Sequence, residues 1–299
     1  MSAVVRTIRN LVLEGFLNTD VKSGDYQTDI EGVTLYCRQK TQKVENCFYK
    51  PSIILVLQGA KRTQVGSEIF EYSKGDIMVM GVDLPASSTI LEASVEQPYL
   101  SVGVEIDSSV LVNLVQETTF PNFDLSRTAK GLFVQKSDFD LLDAFLRLIK
   151  LLKYPERIGV LGPMVIREIH YLLLIGPNGD NLSLFHTVGY KSSQVVRAIS
   201  MIRDHLKKPF SVDEIAQQLN MASSTFHRHF KQATNMSPLQ YLKQLRLHEA
   251  QKLMLTEGFN SGRACAAVGY ESISQFNREY KRLFGDPPHK DITKLKNNV

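Results

Sequence analysis

Two segments near the C-terminus carry side chains suited to gripping a polyanion. In SSTFHRHFKQAT (223–234), Phe226 and Phe230 recur at i, i+4 and mark an inward face. Ser224, Thr225, His227, Arg228 and Lys231 then point outward or sideways. Arginine's planar fork matches two acceptors on one guanine, so Arg228 is the candidate for a bidentate base contact; the alternative for it is a phosphate contact. In a second helix, Phe276 and Tyr280 take the inward places and leave Ile273, Ser274, Asn277 and Arg278 outside. Asn277 could pair with adenine and Ile273 could touch a thymine methyl. Lys231, Lys281 and Arg282 suit phosphates, which position a protein without specifying sequence. His227 and His229 do not make a metal pair, because residues two apart on a helix do not face each other.

These helices need a scaffold, and the sequence supplies the same one twice. VVRAISMIRDHLKKPF (195–210) reads as a helix closed by Pro209, and SVDEIAQQLN follows, with Ser211 and Glu214 spaced as a capping box. Ile215, Ala216 and Leu219 form an apolar face, small Ala216 admits a second helix, and Asn220 suits a left-handed turn. That is helix-turn-helix patterning. Ala264, Cys265 and Val268 repeat it at an offset of 49, with Gly269 for Asn220. Phe276, Tyr280, Gly285 and Pro288 repeat Phe226, Phe230, Asn235 and Pro238 at an offset of 50, so the second turn is one residue longer. Between the copies, a helix starts at Ser237-Pro238 and runs to about Thr256. At ~1.5 Å per residue it spans ~28 Å, enough to set two recognition helices about one DNA turn, ~34 Å, apart.

Charge agrees with this division. Residues 195–299 carry a net +7 and residues 1–194 a net −3, so the C-terminal part is the one expected to meet a polyanion.

The N-terminal part has another texture. Residues 1–20 read as a short helix with Ile8, Leu11, Val12 and Phe16 at helical spacing, and 33–106 as short strands punctuated by Gly59, Gly66, Gly75-Asp76, Gly81 and Pro85. A sandwich or small barrel is expected, followed by a helical hairpin: 138–154, with Phe139, Leu142, Phe145, Leu146, Ile149 and Leu152 on one face, then about Ile158–Ile175. The hairpin either packs on the sheet or forms a homodimer; Leu142, Leu146, Ile149, Val165 and Ile169 are the candidate dimer residues.

Enzymatic chemistry is hard to place. Residues 1–169 contain no histidine, no acidic cluster suits a hard metal, and no nucleophile motif or phosphate-cradling loop is present. No metal or cofactor is expected, and a β-domain so equipped reads as a ligand pocket or one filled by side chains. Cys37, Cys47 and Cys265 form no spaced pair of pairs, the N-terminus shows no signal-peptide pattern, and the longest apolar runs are too short to span a bilayer; a reducing cytoplasm and no membrane are expected.

The strings IAQQLN, SPLQYLKQLRLHEAQKLM and AVGY–S–QFNREYKRLFGDPP resemble the DNA-binding domain of AraC/XylS bacterial regulators over about 195–293, and about 20–175 resembles one N-terminal domain type of that family. Asn235 departs from the family's usual glycine, and Ala264 from a larger aliphatic residue. The resemblance places base contacts at Ser224, His227 and Arg228. It implies an α+β chain: an N-terminal cupin-like β-barrel with a helical hairpin (1–180), a linker (181–194), and an all-α double helix-turn-helix domain (195–299). The function so implied is sequence-specific regulation of transcription, with promoter DNA, a small-molecule effector, RNA polymerase and a second copy of the chain as partners. The alternatives are a regulator without ligand, set by abundance or a protein partner, and a β-barrel enzyme with a DNA-binding tail.

Overall fold

A computed structural model describes residues 2–16, 22–42, 44–118, 129–187, 191–207 and 211–297. After helix α1 (Ser2–Phe16), the β-branched runs form β1 (Gly24–Gln27), β2 (Val33–Arg38), β3 (Glu45–Tyr49), β4 (Ser52–Gln58), β5 (Ala60–Val65), β6 (Glu68–Ser73), β7 (Asp76–Met80), β8 (Leu84–Glu92) and β9 (Tyr99–Glu105). Helix α2 (Ser108–Glu117) follows, and then β10 (Leu132–Lys136), a strand the sequence reading did not separate from its helical surroundings. Its pairing with β7, Leu132 opposite Met80, places it at the sheet edge.

The strands make two antiparallel sheets, β1-β2-β9-β4-β7-β10 and β3-β8-β5-β6. No ladder joins one to the other among the described residues, so the closed barrel expected from the sequence is corrected to a two-sheet sandwich. The chain crosses between sheets at Gly59, whose φ of +78° and 2.4 Å approach of a Cβ position to the Glu92 carbonyl admit only glycine. SIILVLQ in β4 reads as an unbroken apolar run because both its faces are buried. Ile53, Leu55 and Leu57 face α1 and the hairpin, and Ile54 and Val56 face the space between the sheets.

The hairpin is α3 (Phe139–Leu151) and α4 (Pro155–Ile175). Leu142, Ile149, Val165 and Ile169 are buried in the chain's own core, and Leu146 packs against it. Those four are used up within one copy and do not offer a dimer surface, while Leu146 is half-buried at its edge. Phe139, expected inside, is 60% exposed, as are Val160 and Met164 on the outer face of α4 at 68% and 61%. By length and composition α4 could cross a bilayer, which a count of contiguous apolar residues does not show. Its inner face packs in the core, and its Arg167 and Glu168 pair with Glu117 and Arg147.

Residues 181–186 of the expected linker lie in α5 (Gly179–His186), with Leu182, Leu184 and Phe185 buried. Then come α6 (Lys191–Asp204), α7 (Val212–Gln218), α8 (Ser223–Thr234), α9 (Pro238–Thr256), α10 (Ser261–Ala267), α11 (Ile273–Phe284) and α12 (Pro288–Asn297). Pro209, read as the end of the first of these, lies outside the described residues.

Candidate nucleic-acid interface and inner cavity

Each helix pair is built from local signals. Ser211 Oγ accepts from the Glu214 N–H ahead of α7, Asn260 caps α10, and Ser272 caps α11. At Ser237 and Gln240 both halves of a capping box are present, with Pro238 at the first helical position. The two turns pass through left-handed Asn220 (φ 53°) and Gly269 (φ 80°), and α8 and α11 end on left-handed Asn235 and Gly285. The repeat is thus present in the backbone as well as the side chains.

Phe226 and Phe230, like Phe276 and Tyr280, are fully buried. What they leave outside is one motif used twice: Ser224, His227, Arg228 and Lys231 on α8, and Ser274, Asn277, Arg278 and Lys281 on α11. All eight are exposed and follow i, i+3, i+4, i+7, a single stripe along each helix. Thr225 is half-buried and Ile273 is 47% exposed beside its stripe. None of Arg228, Lys231, Arg278 and Lys281 forms an ion pair among the described residues, whereas Lys290 and Lys294 nearby are both paired with Asp286. Lys231 and Arg282 also line a cleft of about 490 Å³ beside α9.

The back of α11 is fixed by polar contacts. Glu279 accepts from Tyr270 Oη at 2.7 Å, Gln275 Nε2 at 3.1 Å and Lys243 Nζ at 3.1 Å. Burial alone would raise its pKa, but these three donors bring it below the ordinary glutamate value. Tyr280 Oη donates to Asp291 at 2.7 Å, tying α11 to α12. A recognition helix held from behind presents its stripe in one orientation.

The N-terminal sandwich rests directly on this domain. The Gly131 N–H donates to the Ala233 carbonyl at 2.9 Å, and Tyr241 Oη donates to the Asp83 carbonyl at 2.9 Å. Asp83 also pairs with Arg203, and Asn46 Nδ2 donates to the Leu283 carbonyl. The hairpin turn at Gly66 lies so close to Asn235 that a Cβ there would meet the Asn235 carbonyl at 2.3 Å. The first helix-turn-helix shares its core with the sandwich, while the second has a core of its own around Phe276, Tyr280 and Met254.

Between the two sheets lies a cavity of about 320 Å³, in the size range of small-molecule sites. Its wall includes Tyr36, Tyr49, Lys61, Tyr72, Ile90 and Tyr99. No residue of this cavity stands out in the sequence by motif. The available signal was the alternation of AKRTQV in β5, which puts Lys61 on the same inward side as Thr63 and Val65.

The fold and the paired stripes define a DNA-binding protein with two helix-turn-helix units behind an α+β regulatory module. Residues 29–181 match the model of the AraC-type transcriptional regulator N-terminus, and 215–292 a helix-turn-helix domain model. The chain belongs to the AraC/XylS family of transcriptional regulators. The Msm operon regulatory protein of Streptococcus mutans is 21% identical over 82% of this chain and 85% of its own length. The HTH-type regulator AlkR of Acinetobacter baylyi is 33% identical, over only 32% of this chain and 31% of that one. Among solved structures, an apo ToxT variant from Vibrio cholerae superposes with a TM-score of 0.58 at 10% identity, covering 89% of this chain and 99% of that one. ToxT bound to an unsaturated fatty acid gives 0.57 at 11%, over 87% and 94%. At such identities the likeness is one of fold.

Proposed function

We propose that this DNA-binding regulator reads an operator with both stripes and answers to a small molecule held between its two sheets. The observation that carries the DNA half is the repeated serine, His/Asn, arginine, lysine stripe, exposed and without ion pairs among the described residues, on two equivalent helices. Arg228 and Arg278 are assigned to bases with Ser224, Thr225, His227, Ile273, Ser274 and Asn277, and Lys231, Lys281 and Arg282 to phosphates. The effector half is supported by the cavity and by β3, which forms part of its wall while its Asn46 and Phe48 touch the DNA-binding domain. The solved ToxT complex with a fatty acid gives a protein of like fold with a bound small molecule. The exposed Val160 and Met164 support a homodimer formed through the outer face of α4, and membership of the regulator family supports the cytoplasm as its compartment and RNA polymerase as its partner.

Genome-wide footprinting of the full-length protein, followed by binding titrations on the sites recovered, tests this reading. Discrete sites bound far more tightly than shuffled sequences are expected, with Arg228→Ala and Arg278→Ala each weakening the preference. Uniform, sequence-independent binding would remove the operator-reading half.

A further inference from the structure

The buried apolar residues of the two DNA-reading units fall in separate clusters, and the boundary lies within α9. Tyr241, Leu242 and Leu245 pack with the first unit and the sandwich, whereas Leu247, Ala250 and Met254 pack with the second unit. Beside that boundary, the cleft of about 490 Å³ is lined by Lys231 and Asn235 at the end of α8 and by Glu279, Arg282 and Leu283 of α11. The ends of the two recognition helices thus border a gap, and contacts other than a common core must fix how one sits relative to the other.

Polar contacts cross the boundary, and Glu279 gathers them. Lys243, flanked on α9 by the first-unit residues Leu242 and Leu245, donates to Glu279 Oε1 at 3.1 Å. Gln275 donates to the same oxygen at 3.1 Å, and Tyr270 Oη donates to Oε2 at 2.7 Å. The Tyr270 ring lies 6.0 Å from the Arg246 guanidinium, whose Nε donates at 2.9 Å to the Leu206 carbonyl, just past α6. Gly269 comes so near that a Cβ there would stand 2.9 Å from that carbonyl oxygen. From the sandwich, Asn46 holds the Leu283 carbonyl. Among the described residues, Lys243–Glu279 is the one ion pair that joins the first-unit end of α9 to the second unit. At the repeat's offset of 50, Glu279 stands where the first unit has the buried His229, so this bridge is not part of the repeated pattern.

We propose that Glu279 is a positioning residue for operator reading: through Lys243 and Tyr270 it sets the distance and angle between α8 and α11, and so the half-site separation that the chain accepts. It works through the stripe on α11 rather than by touching a base. The proposal rests on the reading that both stripes meet DNA. One extra base pair moves the second half-site by ~3.4 Å and turns it by roughly 35°. A recognition helix held in place does not follow such a shift, and a released one does.

The test is a set of binding titrations of full-length protein on the strongest footprinted site and on versions with one base pair inserted or deleted between half-sites. The parent should lose about tenfold or more in affinity on the altered spacings, and E279A and K243M should bring that ratio within about threefold. K243R keeps the parent's ratio, and so does K252M, which breaks the Lys252–Glu249 pair within α9. A merely structural role would lower affinity on every spacing and leave the ratio alone. If E279A does not fold, K243M decides, since Lys243 is 38% exposed. A parent indifferent to spacing, or E279A and K243M with the parent's ratio, overturns the proposal. So does a K243M protein that binds all spacings equally less well with a lower salt slope, which would make Lys243 a phosphate contact. Scrambling each half-site separates the two readings. If a scrambled half-site costs the parent nothing, the two-stripe reading falls and takes this proposal with it. If each half-site matters but the ratio survives in both variants, only the role of Glu279 falls.

Discussion

Phe48 of β3 meets His248 of α9 edge-on, with ring centroids 5.9 Å apart and planes at 60°. The same phenyl ring lies 6.1 Å from Tyr241, and His248 in turn meets Phe284 of α11 edge-on at 5.1 Å. One side chain on the wall of the inner cavity therefore touches the helix that joins the two DNA-reading units, and through a single histidine the end of the second recognition helix. Its neighbours Cys47 and Tyr49 line the cavity. A strand lodged between a cavity and the connecting helix can transmit a change in one to the other, provided the contact carries energy.

That proviso is testable with Phe48→Ala. Edge-to-face aromatic pairs contribute ~0.5–1.5 kcal/mol each beyond burial. Removing the ring is expected to speed hydrogen exchange of amides around 241–248 and 281–284 while leaving α3 and α4 unchanged. Exchange rates equal to those of the parent protein would mean that β3 and α9 merely abut.

His248 should also make stability depend on pH. Its Nε2 is buried without a hydrogen-bond partner among the described residues, and burial lowers its pKa from 6.5 to about 4. The folded chain keeps the ring neutral where the unfolded chain protonates it, so unfolding takes up a proton between those two values. The penalty is absent above about pH 6.5, grows as pH falls, and levels off near pH 4. It amounts to ~1–3 kcal/mol. His186 is lowered to about 4 by the same cause, so the parent's pH profile mixes both residues. Thermal melts of His248→Phe against parent isolate the His248 share: the variant should lose less stability on acidification, and parallel curves would assign the effect elsewhere.

The hairpin gives two variants with opposite outcomes. Ile149 is 1% exposed, so Ile149→Asp buries an unpaired charge and should unfold the chain rather than split a dimer. Met164 is 61% exposed, so Met164→Asp should keep the fold and lower the oligomeric state. Light scattering with circular dichroism reads both, and a Met164→Asp protein of unchanged mass would exclude the outer face of α4 as the interface.

The DNA-binding half was largely visible in the residues because its determinants are local. Caps, left-handed turn residues and i, i+4 aromatics sit within a dozen positions of the helices they specify. The hairpin's burial was visible as a stripe, but what it faces was not. Leu142 and Ile149 look the same in sequence whether they meet a sheet or a second copy. Lys61 and Phe48 were illegible for a related reason. Their meaning depends on β2, β9 and α9, up to two hundred residues away, and on two sheets staying open instead of closing into a barrel.

Arg228 and Lys281 should differ in kind. Arg228 lies between buried Phe226 and Phe230 in sequence and is turned outward on the exposed stripe, with no acidic partner among the described residues. Its fork can reach two acceptors of one guanine, so Arg228→Ala should cost ~1–3 kcal/mol and relax preference at one base pair. Arg278, its twin on α11, should do the same roughly ten base pairs away, one turn of DNA along the same face. Lys281 stands a turn further along α11, where a compact ammonium suits a phosphate. Lys281→Ala should weaken binding to all sequences alike and reduce the salt-dependence slope by about one unit. Binding curves over a salt series, on the operator and on its single-base variants, separate the two behaviours. An Arg228→Ala protein that keeps every base preference and only flattens the salt slope would move that arginine to the backbone and leave the α8 stripe without its base-reading role.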